Sequence, residues 1–307
     1  MKLSIIIVHY KTPALLLHCL ECVTTTIGKI DHEIIVVDNH SEDNSELLIV
    51  KQFPATIWLQ LASNEGFGRA NNAGFKIANG EYLLLLNADA FVLANSISKS
   101  LNRIEQDPKI GILGCMLLNE DGSTQKSTYS YFADYADILK ENLLLSRLIA
   151  FNRSKVKGLM GAFILIPKAK FQTIGGFDED FFMYFEELDL CRRMTEEGYK
   201  LEYFQEAKVI HAQGGSTGNG RWAGKQAFLS HALLYYKMKG FMGYMLFHLL
   251  FIVNAAVNFL FLWRMNARYR ANFYLNNTCY FSNYPRYFSI PFRFKRQPSS
   301  SANMLMN

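Results

Sequence analysis

Charge is scarce in this chain of 307 residues: Asp, Glu, Lys and Arg together make up 19%, against 50% hydrophobic residues. That balance excludes a disordered polymer, which lacks the apolar surface to offset chain entropy. Lys and Arg form no cluster with aromatics in the first two thirds, so the net charge of +5 is no nucleic-acid footprint and no nucleic-acid partner is expected. The positive excess collects late in the chain. A disulfide framework is missing as well, because the five cysteines are odd in number and scattered. Cys19-Leu-Glu-Cys22 has C-x-x-C spacing, but no second pair completes a zinc site and the pair falls in an apolar-periodic helix, so both read as packing residues of a reducing, cytosolic compartment. The apolar run ending at His9-Tyr10 is too short to span a membrane and has no cleavage site, so no signal peptide is expected.

What is present alternates between strand and helix, enough for one large α/β domain of about 200–250 residues plus an appendage. Residues 3–8 are a β-branched run, and residues 13–23 carry a helical period with Thr12 as N-cap and Pro13 at the first position. A second β-branched run, 33–37, ends at Asp38-Asn39 and completes a βαβ opening. The polar turn from Asp38 to Asp43 follows a buried strand directly, which suits an Asp accepting hydrogen bonds from a nucleobase or ribose. A cap for the helix around residues 45–50 competes for part of this turn. After a short strand at 57–61 comes Asn64-Glu65-Gly66-Phe67-Gly68-Arg69-Ala70-Asn71-Asn72-Ala73-Gly74. It is no G-x-G-x-x-G fingerprint, yet two glycines and the donors Arg69, Asn71 and Asn72 at a helix start form a place to hold phosphate or sugar oxygens.

A helix through 74–78 then leads to Gly80-Glu81-Tyr82-Leu83-Leu84-Leu85-Leu86-Asn87-Ala88-Asp89-Ala90. Four consecutive leucines predict a strand buried on both faces of a parallel sheet, delivering a carboxylate at the edge where such sheets bind ligands. Taken alone, Asp89 reads equally as a cap for the helix near Ser96. A helix at 95–106 stops at Asp107-Pro108, a strand follows at 110–118, and Asn119-Glu120-Asp121-Gly122-Ser123 is a hairpin-type turn. Residues 129–151 read as irregular helix with a mobile exit at 151–155 over an acceptor. A strand at 161–167 and a short helix at 168–174 close on Gly175-Gly176.

The densest polar constellation comes next. From Phe177 to Arg193 six acids, Asp178, Glu179, Asp180, Glu186, Glu187 and Asp189, stand among aromatic neighbours. A helix dipole accounts for one or two carboxylates in a first turn, not for the aromatic run 181–185 packed beside them. Short strands at 199–204 and 208–210 follow, the second ending at His211 before Gly214-Gly215-Ser216. A lone His at a strand end is more often structural, but glycines beside it argue for close approach to the backbone.

Residues 241–263 form 23 positions without formal charge, interrupted by His248, Asn254 and Asn258. The length suffices to span a bilayer. A single span would place Arg264, Arg268, Arg270, Arg286, Arg293, Lys295 and Arg296 on the outer side of a cytosolic enzyme, against the positive-inside tendency. An in-plane or re-entrant helix with its basic tail on anionic headgroups avoids that conflict and is the expectation, with a true span and a packed or oligomerising helix as the alternatives. The expected division is a catalytic domain at 1–225, a membrane-associating helical region at 226–285 and a flexible basic tail at 286–307.

In order and spacing, Asp38, the Asn64 to Asn72 loop, Asn87-Ala88-Asp89, the Gly175-Gly176-Phe177-Asp178 to Glu187-Leu188-Asp189-Leu190 block and Val209-Ile210-His211 resemble glycosyltransferase family 2, in its rhamnosyltransferase-like branch, over about residues 3–220. The resemblance implies an α/β GT-A fold, Rossmann-like, with a mostly parallel central sheet flanked by helices. It also implies a nucleotide-sugar donor (dTDP-, UDP- or GDP-linked), Mg²⁺ or Mn²⁺, and inversion at the anomeric carbon. Carried over by residue, Asp38 looks like the nucleobase-contacting acid, and Asn87-Ala88-Asp89 looks like the D-x-D element with Asn in its first place. Asp89 and His211 then look like the metal ligands, and Glu187 like the catalytic base, with Glu186 and Asp189 in reserve. Tyr10, Thr12, Asn39, Asn64, Gly66, Arg69, Asn71 and Asn72 complete the implied donor site. The expected enzyme moves rhamnose or a related hexose to a lipid-linked or glycan acceptor for the cell surface, at the cytoplasmic face of the membrane, as a peripheral or monotopic protein. A processive polysaccharide synthase and a non-catalytic nucleotide-sugar-binding module are the alternatives. A synthase's Q-x-x-R-W element is not evident, since Arg221-Trp222 follows Gly218-Asn219-Gly220.

Overall fold

The structure, a computed structural model, describes residues 1–130, 156–212, 220–260, 267–282, 284–287 and 289–293. The irregular helix and exit loop expected within 131–155, the glycine-rich stretch 213–216, residues 261–266 and the tail beyond 293 lie outside the described residues. The chain divides into two compact units, Met1–Tyr129 with Val156–Phe182 and Glu186–Gly218, and Ser130–Lys155 with Met183–Phe185 and Asn219–Asn307.

In the first unit the elements run β1 (Leu3–His9), α1 (Pro13–Thr26), β2 (His32–Asp38), α2 (Ser45–Gln52), β3 (Ile57–Gln60), α3 (Phe67–Ile77), β4 (Tyr82–Asn87), β5 (Ala90–Val92), α4 (Ser96–Glu105), β6 (Ile110–Leu118), β7 (Thr128–Tyr129), β8 (Gly158–Leu159), β9 (Phe163–Pro167), α5 (Lys168–Thr173), α6 (Glu186–Glu196) and β10 (Lys200–His211). One sheet takes eight strands in the order β3-β2-β1-β4-β9-β6-β10-β5. The first four are mutually parallel, β9 lies antiparallel between β4 and β6, and β5 caps the far edge antiparallel to β10. The leucines of β4 are at most 1% exposed, as a strand covered on both faces requires. In α1, Leu16, Cys19, Leu20 and Val23 are buried, one stripe at helical spacing, so Cys19 is a packing residue.

Two local expectations change. Thr12 stands at the N-cap of α1 but its hydroxyl caps nothing; it faces the His9 imidazole instead, at 3.5 Å. Pro13, preset for the first helical turn, opens the helix without that bond. The strands expected at 199–204 and 208–210 are one strand, β10, with a register irregularity between Phe204 and Lys208. The polar residues between them bulge without ending the ladder.

The second unit contains α7 (Gly220–Leu260), α8 (Ala267–Ser282), α9 (Tyr284–Tyr287) and α10 (Ile290–Arg293). Gly240 breaks α7 at φ 69°, ψ −168°, a left-handed position open to glycine, so α7 is two helical arms. In the second arm Tyr244, Phe247, His248, Phe251, Asn254 and Asn258 are buried. His248 Nδ1 meets the Tyr280 hydroxyl at 2.6 Å, and Asn258 Nδ2 donates to Asn254 Oδ1 at 3.0 Å. The exposed large side chains of that arm are Phe241, Met242, Met245, Leu246, Leu249, Ile252, Val253, Phe259 and Leu260. His248, Asn254 and Asn258 lie on the buried face beside Tyr244, Phe247 and Phe251, and the exposed face is apolar, unlike that of a water-facing helix.

Candidate active site

The parallel strands β1, β2 and β4 end together at the carboxyl edge of the sheet, where an open α/β sheet leaves a crevice. β4 delivers Asn87 there, and the chain turns through Ala88 and Asp89 into β5. Because β10 runs antiparallel to β5, pairing His211 with Ala90, and Ala212 N donates to Asp89 O at 3.0 Å, residues 122 positions apart in sequence become neighbours. Asp89 Oδ1 lies 3.3 Å from His211 Nε2. Both side chains are largely buried, at 14% and 11% exposure. Among the described residues no three His, Cys, Asp or Glu side chains converge on one point; Asp89 and His211 bring together one carboxylate and one imidazole. That mixed pair fits Mg²⁺ or Mn²⁺ completing its shell with diphosphate oxygens. Asp89 is no helix cap; Asn95 takes that place before α4. Asn87 donates its backbone N–H to Ala162 O at 3.1 Å, while its side-chain Oδ1 is buried and has no hydrogen-bond partner. A buried unsatisfied carbonyl is costly, and a donor group or a bound ion would relieve it.

The acid block splits by environment. Glu186 and Glu187 begin α6 and are 5% and 7% exposed. Burial, and after it the charge of Glu187, push the Glu186 carboxyl well above the ordinary range. Glu187 Oε1 accepts from the Tyr129 hydroxyl at 2.9 Å. A Cβ on Gly161 would stand 3.7 Å from that of Glu187, and the adjacent Ala162 carbonyl is the one that Asn87 N–H reaches, so Glu187 and Asn87 flank the same two backbone residues. Asp189 is different. It is wholly buried, with Oδ1 3.0 Å from Arg192 Nη2 and Oδ2 2.7 Å from Arg193 Nε. Burial alone would raise its pKa, but Arg193 and Arg192 overcome it and hold the carboxylate below its ordinary value.

At the ends of β1 and β2, Asp38 Oδ1 accepts from both the backbone N–H, at 3.0 Å, and the hydroxyl of Ser41, and Ser41 Oγ accepts from Lys11 N at 2.9 Å. Asp38 thereby shapes the loop beside the half-buried Tyr10 and the buried Thr12. Asn39 ties the second loop: its Nδ2 donates to Asn64 Oδ1 at 3.0 Å and its Oδ1 accepts from Glu65 N at 2.8 Å. Gly66, at φ 83°, lies so close to the Phe182 carbonyl that no Cβ fits. Arg69 Nε donates to Glu179 O at 2.7 Å, Asn71 Nδ2 to Phe67 O at 3.0 Å and Asn72 Nδ2 to Phe177 O at 2.9 Å, while Asn72 Oδ1 accepts from Phe177 N at 2.9 Å. Arg69 and Asn72 thereby clamp the 177–182 loop to α3, while Asn71 bonds back within the helix.

Sequence reasoning missed Gln125, Tyr129 and His9. His9 is buried, its pKa lowered chiefly by burial, with Nε2 2.9 Å from Ser45 Oγ; Gln125 contacts His211 and Tyr129 contacts Glu187. None belongs to a spacing pattern. The available signal was position only, a polar residue just past a strand end or turn.

The family model described as Glycosyl transferase family 2 matches residues 4–190. An N-acetylglucosaminyl-diphospho-decaprenol L-rhamnosyltransferase of Mycobacterium tuberculosis is 26% identical over 208 residues, 60% of this chain and 68% of that protein. Rhamnosyltransferase WbbL of Escherichia coli is 29% identical over 97 residues, 28% of this chain and 36% of that one. Among solved structures, a mannosyltransferase of Pyrobaculum calidifontis in complex with GDP-Man and Mn²⁺ aligns with TM-score 0.57 at 15% identity, over 95% of this chain and 83% of that one. GalNAc-T7 with UDP, GalNAc and Mn²⁺ aligns with TM-score 0.58 at 16% identity, over 77% of this chain; the chain spans about half, 48%, of that protein. At such identities the structural likeness is one of fold.

Proposed function

Because the chain belongs to glycosyltransferase family 2 and has its GT-A-like α/β fold, we propose that it is a rhamnosyltransferase-like enzyme transferring rhamnose or a related hexose, with inversion, from a nucleotide-diphosphate sugar to a hydroxyl of a lipid-linked or glycan acceptor. The observation that carries this reading is the meeting of Asp89 and His211 at the carboxyl edge of the sheet. A divalent cation bound there supplies neutralisation of the charge that develops on the departing diphosphate. Asp38 and its loop take the nucleoside end, Asn87 and Ala88 lie beside the sugar, and the loop held by Asn39 and Asn64, with Arg69, Asn71 and Asn72, closes the donor side. Glu187, oriented by the Tyr129 hydroxyl, takes the acceptor proton as attack proceeds on the face opposite the leaving group, a role worth about 10²–10⁴ in rate. Burial and then the charge of Glu187 push the Glu186 carboxyl upward, which sets it apart from Glu187 as the weaker acid. Asp189 is structural: it orients Arg192 and Arg193 of its own helix, and Arg193 Nη1 donates to Ile174 O at 2.6 Å.

The same reading places the enzyme at the cytoplasmic face of a membrane as a peripheral or monotopic protein. Its support is the outward apolar stripe of the second arm of α7, and the mycobacterial relative's lipid-linked substrate, as its name gives it.

The test is calorimetric titration of dTDP-, UDP- and GDP-sugars with and without Mn²⁺, followed by transfer assays on Glu187→Gln. One donor is expected to bind in a Mn²⁺-dependent way, and Glu187→Gln to keep that binding while transfer falls by about 10²–10⁴. Wild-type transfer by Glu187→Gln would remove Glu187 as the base.

A further inference from the structure

The turn after β6, which sequence reasoning took for a plain hairpin, holds a hydrogen-bond chain whose direction can be assigned. Its outer end is the exposed Asp121, whose pKa is lowered by the Ser123 hydroxyl and then by the Ser123 backbone N–H, so it is ionised and only accepts. Ser123 Oγ donates to Asp121 Oδ1 at 2.6 Å. With its proton so used, Ser123 Oγ accepts from Asn119 Nδ2 at 2.8 Å. This orients the Asn119 amide, whose Oδ1 accepts from Gln125 Nε2 at 3.0 Å. Gln125 Nε2 gives its second proton to the His211 carbonyl at 3.1 Å. Both amide protons are thereby assigned, and Gln125 Oε1, 2.8 Å from His211 Nδ1, must accept. His211 therefore carries a proton on Nδ1, and Nε2 is the nitrogen that faces Asp89.

We propose that Gln125 is a positioning residue for His211: through the chain Asp121, Ser123, Asn119, Gln125 it holds the imidazole in the Nδ1–H tautomer and presents Nε2 as a cation ligand beside Asp89. The proposal rests on the reading of Asp89 and His211 as cation ligands. Gln125 suits the task because it is buried, at 7% exposure, and fixed at its backbone, where its N–H donates to Leu117 O at 2.8 Å. It also grips both ends of the residue it orients, carbonyl and ring. A ligating imidazole needs its other nitrogen anchored, because a free ring divides itself between tautomers and orientations that bind no metal. Successive donors all directed toward one carboxylate also polarise each other and so fix the direction of the chain. Hairpin closure alone would explain the bonds within 119–125, but not the two bonds to His211.

The experiment has a metal-free arm and a metal arm. In the metal-free protein, ring ¹⁵N spectra of His211 are expected to show the Nδ1–H tautomer in wild type and in Gln125→Glu, which keeps an acceptor, and a shift toward Nε2–H in Gln125→Leu. Mn²⁺ is then titrated by electron paramagnetic resonance, alone and with dTDP, UDP and GDP in turn. Gln125→Leu should bind about 10–100-fold more weakly, while Gln125→Glu stays near wild type. An unchanged tautomer in folded Gln125→Leu overturns the proposal, and so does a changed tautomer with unchanged Mn²⁺ affinity. Should Gln125→Leu not fold, Ser123→Ala on the exposed turn breaks the chain at its outer link and should weaken both signals in the same direction; no change in either overturns the proposal. Asp89→Ala separates the two claims: if it binds Mn²⁺ as wild type does, the metal reading fails, while the metal-free spectra still judge the tautomer.

Discussion

At the residue scale, neighbouring carboxylates of one helix start have opposite fates. Glu186 is buried with a like charge beside it and resists ionisation, whereas Asp189 is equally buried but enclosed by two guanidiniums and stays charged. A depressed folded-state pKa means that the stability Asp189 contributes is fully present above its ordinary value of 3.8 and is lost as pH falls through the lower folded value. Replacing it leaves Arg193, 11% exposed, facing a neutral partner, and leaves Arg192, 9% exposed, with Glu196 as its carboxylate. Asp189→Asn is expected to cost about 3–5 kcal/mol in urea unfolding at pH 7, with a smaller difference from wild type at the lowest pH where both still fold. Equal stability at neutral pH would contradict the ion pair's structural role.

At the element scale, the start of α3 shows how a glycine-rich loop is held by backbone contacts with a distant segment. Gly66 precedes the helix at φ 83°, and Phe67 N donates to Phe182 O at 2.9 Å, so the loop and the segment leading to α6 are stitched backbone to backbone. Gly66→Ala adds both the left-handed strain and a collision with that carbonyl. The expected loss is about 1–3 kcal/mol for the strain, read as a fall in the urea midpoint. If the loop serves the donor, a weaker nucleotide Kd accompanies it. The second arm of α7 is the other element whose faces decide its role. His248, Asn254 and Asn258, which in sequence interrupt a hydrophobic run, lie on its inner side and pair within the unit, so they leave its outer stripe wholly apolar.

At the scale of the whole molecule, charge is distributed unevenly. No Asp or Glu follows Glu206, while twelve Lys and Arg do, so the net +5 divides into −7 before residue 207 and +12 after it. An apolar stripe in such a region suits a surface of anionic lipid, where each cation near the headgroups adds about 1 kcal/mol. The full chain is expected to sediment with vesicles containing phosphatidylglycerol and much less with phosphatidylcholine alone, to lose binding as salt rises, and to be released by alkaline carbonate. Met242→Lys with Leu249→Lys, both on exposed positions, should weaken the association. Resistance to carbonate would indicate a span, and a stable dimer without vesicle binding would assign the stripe to a second copy.

The order of strands and helices, the burial of β4 and the arrival of Asp89 at a sheet edge were legible in the sequence because they are local. A β-branched or leucine run, a Pro at a helix start and a polar turn after it act through neighbours a few residues away. So was the resemblance, since motif order and spacing are properties of the chain. Pairing was not legible from local pattern; for Asp89 and His211 it came only as an implication of the resemblance, and for Gln125 not at all. Asp89 meets His211 only because β10 runs antiparallel to β5, and Gln125 reaches His211 only because a hairpin folds back beside that strand. Whether a carboxylate is charged, as Asp189 is, or resists charge, as Glu186 does, depends on which side chains and how much water surround it. Those are sums over neighbours distant in sequence, and the tertiary structure alone supplies them.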